Sequence, residues 1–209
     1  MDLFEAIRSR RSIRKFKPDL IRDEDIRAII EAATLAPNAG NSQMWKFLAV
    51  TNRDVLAEIK EVILGKLDSF SEWPEAEPHR VGLRAAKGWS TFFTDAPVTI
   101  IVLGEPYVSA IDEVLEKRGW DRPAIDALRQ KPDIQSIGAA IENLCLAAHA
   151  MGYGTCWMSA PCIAGPEIKE LLNIKPPWEV IAFVPVGVSD YDPPARPRKP
   201  LDAVLEFVK

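Results

Sequence analysis

The stretch DIQSIGAAIENLCLAAHAMG, residues 133–152, is the most strongly patterned part of the sequence and predicts a deeply buried helix. Its largest apolar side chains recur at helical spacing and form one stripe: Ile137, Ala140, Ile141, Leu144 and Ala148. Small or apolar residues also occupy most of its other faces, so little polar surface is left for solvent. We expect Asp133 to cap this helix and Gly152 to end it.

On both sides of this helix the sequence alternates between helical and extended patterns. Helical patterns occur at residues 2–9, 23–36, 53–67, 107–130 and 164–174, the fourth interrupted at Gly119 and Pro123. Strand patterns occur at residues 46–51, 96–104, 155–158 and 179–188. Residues 68–88 are rich in proline, glutamate and aromatic residues, which predicts an irregular excursion or cover. Taken alone, such alternation of strands and helices favours a parallel sheet.

Composition places the chain among single-domain globular proteins. It has 209 residues, of which 47% are hydrophobic, enough to build one sizeable core. The 30 acidic and 26 basic residues give a net charge of -4, which argues against a broad nucleic-acid-binding surface. No apolar run reaches membrane-spanning length, so we expect a soluble cytoplasmic protein with no membrane partner.

The sequence offers little material for side-chain catalysis. The only histidines are His79 and His149, which leaves almost no basis for a metal site or a catalytic triad. Three cysteines without C-x-x-C spacing suggest neither a disulfide framework nor a metal site. Cys156 has no neighbouring cation in the sequence and is expected to be structural. If the protein is an enzyme, a bound organic cofactor is expected to carry the chemistry.

Three segments could hold such a cofactor. Guanidinium groups suit a phosphate, and side-chain amides suit a ribityl chain and the polar edge of a flavin. The candidates are Arg10, Arg11, Ser12 and Arg14; Asn38, Asn41 and Gln43; and Arg196, Arg198 and Lys199. Each segment also has a simpler interpretation, because an arginine run is often a solvated face or a nucleic-acid arm and PNAGN is often a turn.

Four blocks of sequence, in this order and at similar separations, resemble the FMN-dependent nitroreductase family. They are RRSIRKF (10–16), EAATLAPNAGNSQMWKFLAV (31–50), AAIENLCLAAHAMGYGTCWM (139–158) and RPRKPL (196–201). The resemblance implies an α+β fold, a three-layer α/β/α sandwich with a mainly antiparallel sheet. It also implies an intertwined homodimer with two FMN sites at the subunit interface.

The same resemblance defines domains and site residues. It implies a single FMN-binding domain over residues 1–209, with residues 68–130 as a variable cover over the substrate and residues 193–209 as a C-terminal extension. Trp157, Met158, Ser159 and Ala160 match the segment whose backbone N–H groups approach the flavin. The other matched positions are Arg10, Arg11, Ser12, Arg14, Pro37, Asn38, Asn41, Gln43, Arg196, Arg198 and Lys199.

The implied activity is an FMN-dependent NAD(P)H oxidoreductase that reduces nitroaromatics, quinones or similar acceptors by ping-pong hydride transfer through flavin N5. NADH or NADPH is the transient donor, and no side chain is required as a catalyst. The alternative is a flavoprotein that cleaves or carries FMN without NAD(P)H turnover. Trp45, Trp89 and Trp157 are expected to anchor the core, whereas Trp73 could line an acceptor pocket.

Overall fold

The computed structural model describes residues 1–209 and contains eight α-helices and four β-strands. The helices are α1 (Leu3–Ser9), α2 (Asp23–Thr34), α3 (Arg53–Ser71), α4 (Arg80–Thr91), α5 (Ala110–Lys117), α6 (Arg122–Arg129), α7 (Pro132–Ala150) and α8 (Gly165–Leu171). The strands are β1 (Trp45–Val50), β2 (Val98–Gly104), β3 (Gly154–Thr155) and β4 (Glu179–Gly187). No helix is both long enough and apolar enough to span a bilayer.

The four strands form one sheet in the order β1-β2-β4-β3, and every pair is antiparallel. Trp45 lies opposite Gly104 and Ile101 opposite Phe183. The parallel sheet favoured by the alternating pattern is therefore wrong, and the antiparallel sheet implied by the family resemblance is confirmed. The pattern misleads because a helix between two strands does not fix which strands become neighbours.

The sheet is covered by helices on both faces, which confirms the three-layer sandwich. On one face, Ile100 and Val102 of β2 pack with α2 and α7 in a core of 17 buried residues. On the other face, Ile101 and Leu103 pack with α3 and α8 in a core of 13. Alternate side chains of the strand therefore enter different cores, and β2 is buried throughout.

Helix α7 runs through the larger core and carries the predicted apolar stripe in fully buried positions. It begins at Pro132 rather than at a cap formed by Asp133. Lys131 occupies the left-handed region at φ 51°, and the proline that follows needs no hydrogen bond for an N–H in the first turn. The helix ends as expected, with Gly152 in a left-handed conformation at φ 90°.

The predicted irregular excursion at residues 68–88 is wrong. Helix α3 continues to Ser71, a 3₁₀ turn spans Pro74–His79, and α4 follows directly. Lys87 forms an ion pair with Asp68, which ties α4 back onto α3. The prolines misled the prediction because they occupy the short turn between the helices and do not interrupt either helix.

Two short pairings attach the N-terminal segment to the sheet region. Ser12 forms a parallel bridge with Thr155, and Phe16 an antiparallel bridge with Ser189. Beyond residue 190 the only regular structure is a 3₁₀ turn at Leu201–Ala203. The N-terminal segment is thus anchored on the sheet, while the last part of the chain extends away from the core.

Candidate functional site

The N-terminal basic segment, residues 10–14, follows α1 and lies along β3. Ile13 donates its N–H to Thr155 O at 2.8 Å and buries its side chain against Gly154. A Cβ atom at Gly154 would lie 2.5 Å from Ile13 Cγ1, so only glycine permits this close approach. The segment is therefore fixed in place through its backbone and its one buried side chain.

The three arginines of this segment have different neighbours. Arg10 Nε is buried 3.2 Å from Glu142 Oε1 on α7, and it makes no hydrogen bond. Arg11 Nη1 donates to the carbonyls of Arg8 and Arg10, both at 2.8 Å, and so caps the end of α1. Each guanidinium group keeps donors that the chain does not use, and an anion could accept hydrogen bonds from them.

Arg14 reaches toward α4. Its Nη1 donates to Ser12 O at 3.2 Å, and its guanidinium carbon lies 5.5 Å from the ring centroid of Trp89. With Arg10 and Arg11, it gives the segment three cationic groups, of which Arg10 pairs with the carboxylate of Glu142. The local charge is therefore positive although the whole chain is acidic.

Titratable groups beneath the basic segment are held in their neutral forms. His149 Nε2 forms a 2.7 Å hydrogen bond with Ser9 Oγ, and its pKa is lowered by burial and by the positive charges of Arg10 and Arg11. Burial raises the pKa of Cys145 to about 11. Neither side chain is poised as an ionised nucleophile at neutral pH.

Cys156 does have cationic neighbours, contrary to the sequence-based expectation. Burial raises the pKa of its thiol, while the charges of Arg14 and Arg10 and a hydrogen bond with Ser12 act in the opposite direction. The net shift is upward, so the thiol remains protonated at neutral pH. The sequence could not reveal these arginines because they approach from more than 140 residues away in the chain.

The segment Trp157 to Ala160 lies directly after the part of β3 that pairs with Ser12. Met158 and Phe183 exchange backbone hydrogen bonds of 2.8 and 2.9 Å, so the N–H of Met158 is already used. The N–H groups of Trp157 and Ser159 form no hydrogen bond within the chain. Trp157 itself is 46% exposed and rests on Gly138 of α7, so its predicted role as a core anchor is wrong.

The loop at residues 37–43 is anchored near the start of α7, where Ala39 N donates to Ser136 Oγ at 3.1 Å. Asn38 Oδ1 accepts a 2.9 Å hydrogen bond from Gln43 N, which closes the loop. Asn41 and Gln43 have φ angles of 51° and 49°, and both side chains are exposed. Pro37 is exposed as well. The loop is held in a turn-rich shape that presents its amide groups to solvent.

The C-terminal basic segment, residues 196–199, makes no polar contact with the other predicted parts of the site. Arg196, Arg198 and Lys199 are fully on the surface, and none forms a hydrogen bond or ion pair. The structure thus places the N-terminal basic segment next to the chain that leads into residues 157–160. The loop at 37–43 contacts the start of α7, the helix that also carries Glu142, the partner of Arg10.

Sequence reasoning missed two residues beside the basic segment. Trp89 was expected in the core, yet it is 58% exposed and lies over Arg14. Glu142 is the acidic residue in the otherwise apolar stretch of α7, which was a signal that it has a polar partner. Trp45 is buried as expected, and Trp73 packs on Phe70 with ring centroids 4.9 Å apart.

Comparison with protein families gives a match to the family described as "Nitroreductase family" over residues 7–188. A Methanothermobacter thermautotrophicus protein provisionally named NADH dehydrogenase/NAD(P)H nitroreductase is 31% identical over 202 residues, covering 94% of this chain and 82% of that protein. The 5,6-dimethylbenzimidazole synthase of Rhodobacter capsulatus is 26% identical over 194 residues, covering 90% and 84%.

Solved structures agree with these relatives. A BluB-like flavoprotein from Clostridium difficile superposes with a TM-score of 0.88 and 32% identity, covering all of both chains. A Bacteroides fragilis nitroreductase with bound FMN superposes with a TM-score of 0.72 and 24% identity, again over both complete chains, and supports the fold. The resemblance inferred from four short blocks is confirmed: this chain belongs to the nitroreductase family of oxidoreductases.

Proposed function

We propose that this protein is an FMN-dependent NAD(P)H oxidoreductase that reduces nitroaromatics, quinones or similar electron-poor acceptors. The single observation that carries the proposal is the pairing of Ser12 with Thr155. This pairing places a cluster of arginines beside a segment whose N–H groups at Trp157 and Ser159 are unused. An anionic group and a heterocycle with hydrogen-bond acceptors would find matching donors on adjacent stretches of chain.

The basic segment fits a phosphate group by the chemistry of its donors. Arg10 has a buried Nε without a hydrogen bond, and the guanidinium groups of Arg11 and Arg14 each use only one nitrogen on the chain's own carbonyls. Ser12 adds a hydroxyl between them. These residues would hold the phosphate of FMN, and charge-assisted hydrogen bonds would supply much of the affinity.

The remaining contacts would orient the cofactor and shape the site. Asn41 and Gln43 would offer amide groups to the ribityl chain or the ring edge, since Asn38 is already engaged in closing the loop. The free N–H groups at Trp157 and Ser159 would donate to the polar edge of the ring and favour negative charge there. When bound, FMN supplies reversible two-electron transfer between NAD(P)H and an acceptor.

We further propose that the functional protein is a homodimer. The outer edge of β1 has no neighbouring strand, and a groove of about 670 Å³ lies between β1 and α2, lined in part by Ile26, Ile30 and Ala49. Residues 191–209 are almost entirely exposed and include large apolar side chains such as Phe207. A second copy would cover these surfaces and bring Arg196, Arg198 and Lys199 to the cofactor.

The proposal is tested by the colour and chemistry of the purified protein. We expect a yellow protein that binds FMN, bleaches anaerobically with NADH or NADPH, and regains its absorbance when a nitroarene or quinone is added. Riboflavin, which lacks the phosphate, is the matched control ligand and should bind much more weakly. A protein that takes up no FMN, or a loaded protein that neither nicotinamide reduces, would refute this function.

A second function is supported by the likeness to the BluB-like flavoprotein and to 5,6-dimethylbenzimidazole synthase. In that case the flavin is the substrate or is only carried, and NAD(P)H would not drive repeated turnover. Repeating the experiment with and without air separates the two functions. Bound flavin that neither nicotinamide reduces, or reduced flavin that is destroyed when O₂ is admitted and whose absorbance no acceptor restores, would favour the second function over the first.

A further inference from the structure

Trp89 is a large apolar side chain that contributes little to the core. It lies in the last part of α4, and 58% of its surface is exposed. Its neighbours in sequence, Ser90 and Thr91, are the buried residues of that helix. The indole therefore projects from the structure, and the guanidinium carbon of Arg14 lies 5.5 Å from its ring centroid.

Arg14 is restrained from two sides by these contacts. Its Nη1 donates to the carbonyl of Ser12, and its guanidinium carbon lies over the ring of Trp89, 5.5 Å from the ring centroid. The backbone beneath it is also fixed, because Ile13 is buried against Gly154 and bonded to Thr155. A long flexible cation is thus held in one place before any ligand arrives, which removes part of the entropy lost on binding.

We propose that Trp89 is a positioning residue that holds Arg14 in the orientation in which it binds the anionic group of the cofactor. This inference rests on the function proposed above and adds to it a residue from α4, outside the sequence blocks shared with the family. It assigns Trp89 no contact with the acceptor or with the reacting atoms. The indole acts through Arg14 alone.

The size of the effect follows from the exposure of the contact. A cation held over an exposed tryptophan is a weak interaction, and its removal is expected to weaken FMN binding by about two- to five-fold. Trp89→Phe keeps an aromatic face, so it should restore most of the affinity. Trp89→Leu keeps apolar volume without that face and should show the full loss.

The experiment measures FMN affinity of the apoprotein by quenching of flavin fluorescence for the wild type, Trp89→Leu and Trp89→Phe. Trp73→Leu is the matched control, because Trp73 is 57% exposed and packs on Phe70 rather than on a cation. Trp89→Leu is then combined with Arg14→Met. The proposal predicts that the tryptophan substitution has no further effect once the guanidinium is gone.

A second readout reports the position of Arg14 without any cofactor. In the apoprotein, the indole should shift the NMR signal of the Arg14 Nε–H group upfield by its ring current, and Trp89→Leu should remove that shift. Unchanged FMN affinity in Trp89→Leu, or an equal loss in the Arg14→Met background, would overturn the inference while the proposed function stands. If the wild type binds no FMN, the proposed function fails and the inference fails with it.

Discussion

The N-terminal and C-terminal basic segments carry similar charge, yet the fold treats them in opposite ways. Residues 10–14 are paired with β3, and Arg10 and Arg14 have partners on α7 and α4. Residues 196–199 are exposed and make no polar contact with the rest of the chain. Under the proposed function, the chain's own core would build one half of the site, and the surface of a second copy would complete the other half.

The largest expected effect is on stability, and it separates the sheet that supports the N-terminal segment from the exposed C-terminal tail. Phe183 is fully buried beside Phe93 and pairs with Met158, so Phe183→Ala is expected to lower the free energy of unfolding by about 3–5 kcal/mol. Phe207 is 75% exposed, and Phe207→Ala should change the monomer's free energy of unfolding by less than about 0.5 kcal/mol. Urea denaturation of dilute protein measures both. Similar losses in the two variants would show that the tail packs on its own chain.

A smaller loss of stability is expected when a methyl group is added at Gly154, where the N-terminal basic segment is anchored. Gly154→Ala would place its methyl group 2.5 Å from Ile13 Cγ1, and we expect a loss of about 1–3 kcal/mol in unfolding free energy together with weaker FMN binding. Gly82→Ala is the matched control, since nothing lies within 4 Å of its added methyl group on α4. That control should be neutral or stabilising. Normal FMN binding in Gly154→Ala would mean that the anchoring does not matter for the site.

Removing one arginine from each segment tests whether the cofactor is bound by residues of the same chain or by residues of a second copy. Arg11→Ala and Arg198→Ala should each weaken FMN binding by about 1.5–3 kcal/mol, the range for hydrogen bonds to charged groups. The effect of Arg11→Ala should be the same at all protein concentrations. The effect of Arg198→Ala should vanish when dilution separates the subunits, because that side chain would reach the cofactor only across the interface.

Titration calorimetry over a range of protein concentrations measures FMN affinity in both variants, and sedimentation measures the fraction of dimer at each concentration. Arg118→Ala removes an exposed arginine from the end of α5 and serves as the charge control. If Arg198→Ala weakens binding equally in the monomer and the dimer, then the tail reaches its own site. If neither Arg11→Ala nor Arg198→Ala changes FMN affinity, then the phosphate binds elsewhere.

The smallest expected effect is a pH dependence of stability, and only the N-terminal region should contribute to it. The pKa of His149 is lowered from its ordinary value near 6.5 by burial and by the charges of Arg10 and Arg11. Because the unfolded chain takes up this proton more readily, the contribution to stability is present above pH 6.5 and is lost as the pH falls below it. Thermal denaturation of the apoprotein should show this loss, and His149→Gln should reduce it.

His79→Gln is the matched control for that measurement, since His79 is exposed in the turn before α4. A tail-truncated chain should keep the full pH dependence, because no histidine lies in residues 191–209. An unchanged pH profile in His149→Gln would contradict the prediction.

The parts of the fold that the sequence predicted well are those with a strong apolar pattern. Helix α7 and strands β2 and β4 were identified close to their observed bounds, because α7 buries one continuous apolar stripe and the two strands are buried along most of their length. The excursion at residues 68–88 was misjudged, because its prolines lie in the turn between α3 and α4 and do not interrupt either helix. Trp89 and Trp157 were assigned to the core because tryptophan is usually buried, and exposure depends on neighbours that a single sequence does not show.

The sequence by itself determined the chemical groups available to the protein: a local cluster of arginines, an amide-rich loop, three cysteines without metal-site spacing and too few histidines for side-chain catalysis. These follow from composition and short-range spacing, and the family resemblance added their expected roles. Only the tertiary structure decided which strands pair in the sheet, that the charge of Arg14 acts on Cys156, and that Arg14 lies over the ring of Trp89. Each of these depends on contacts between residues far apart in the chain, which arise from packing the two cores and not from any local preference.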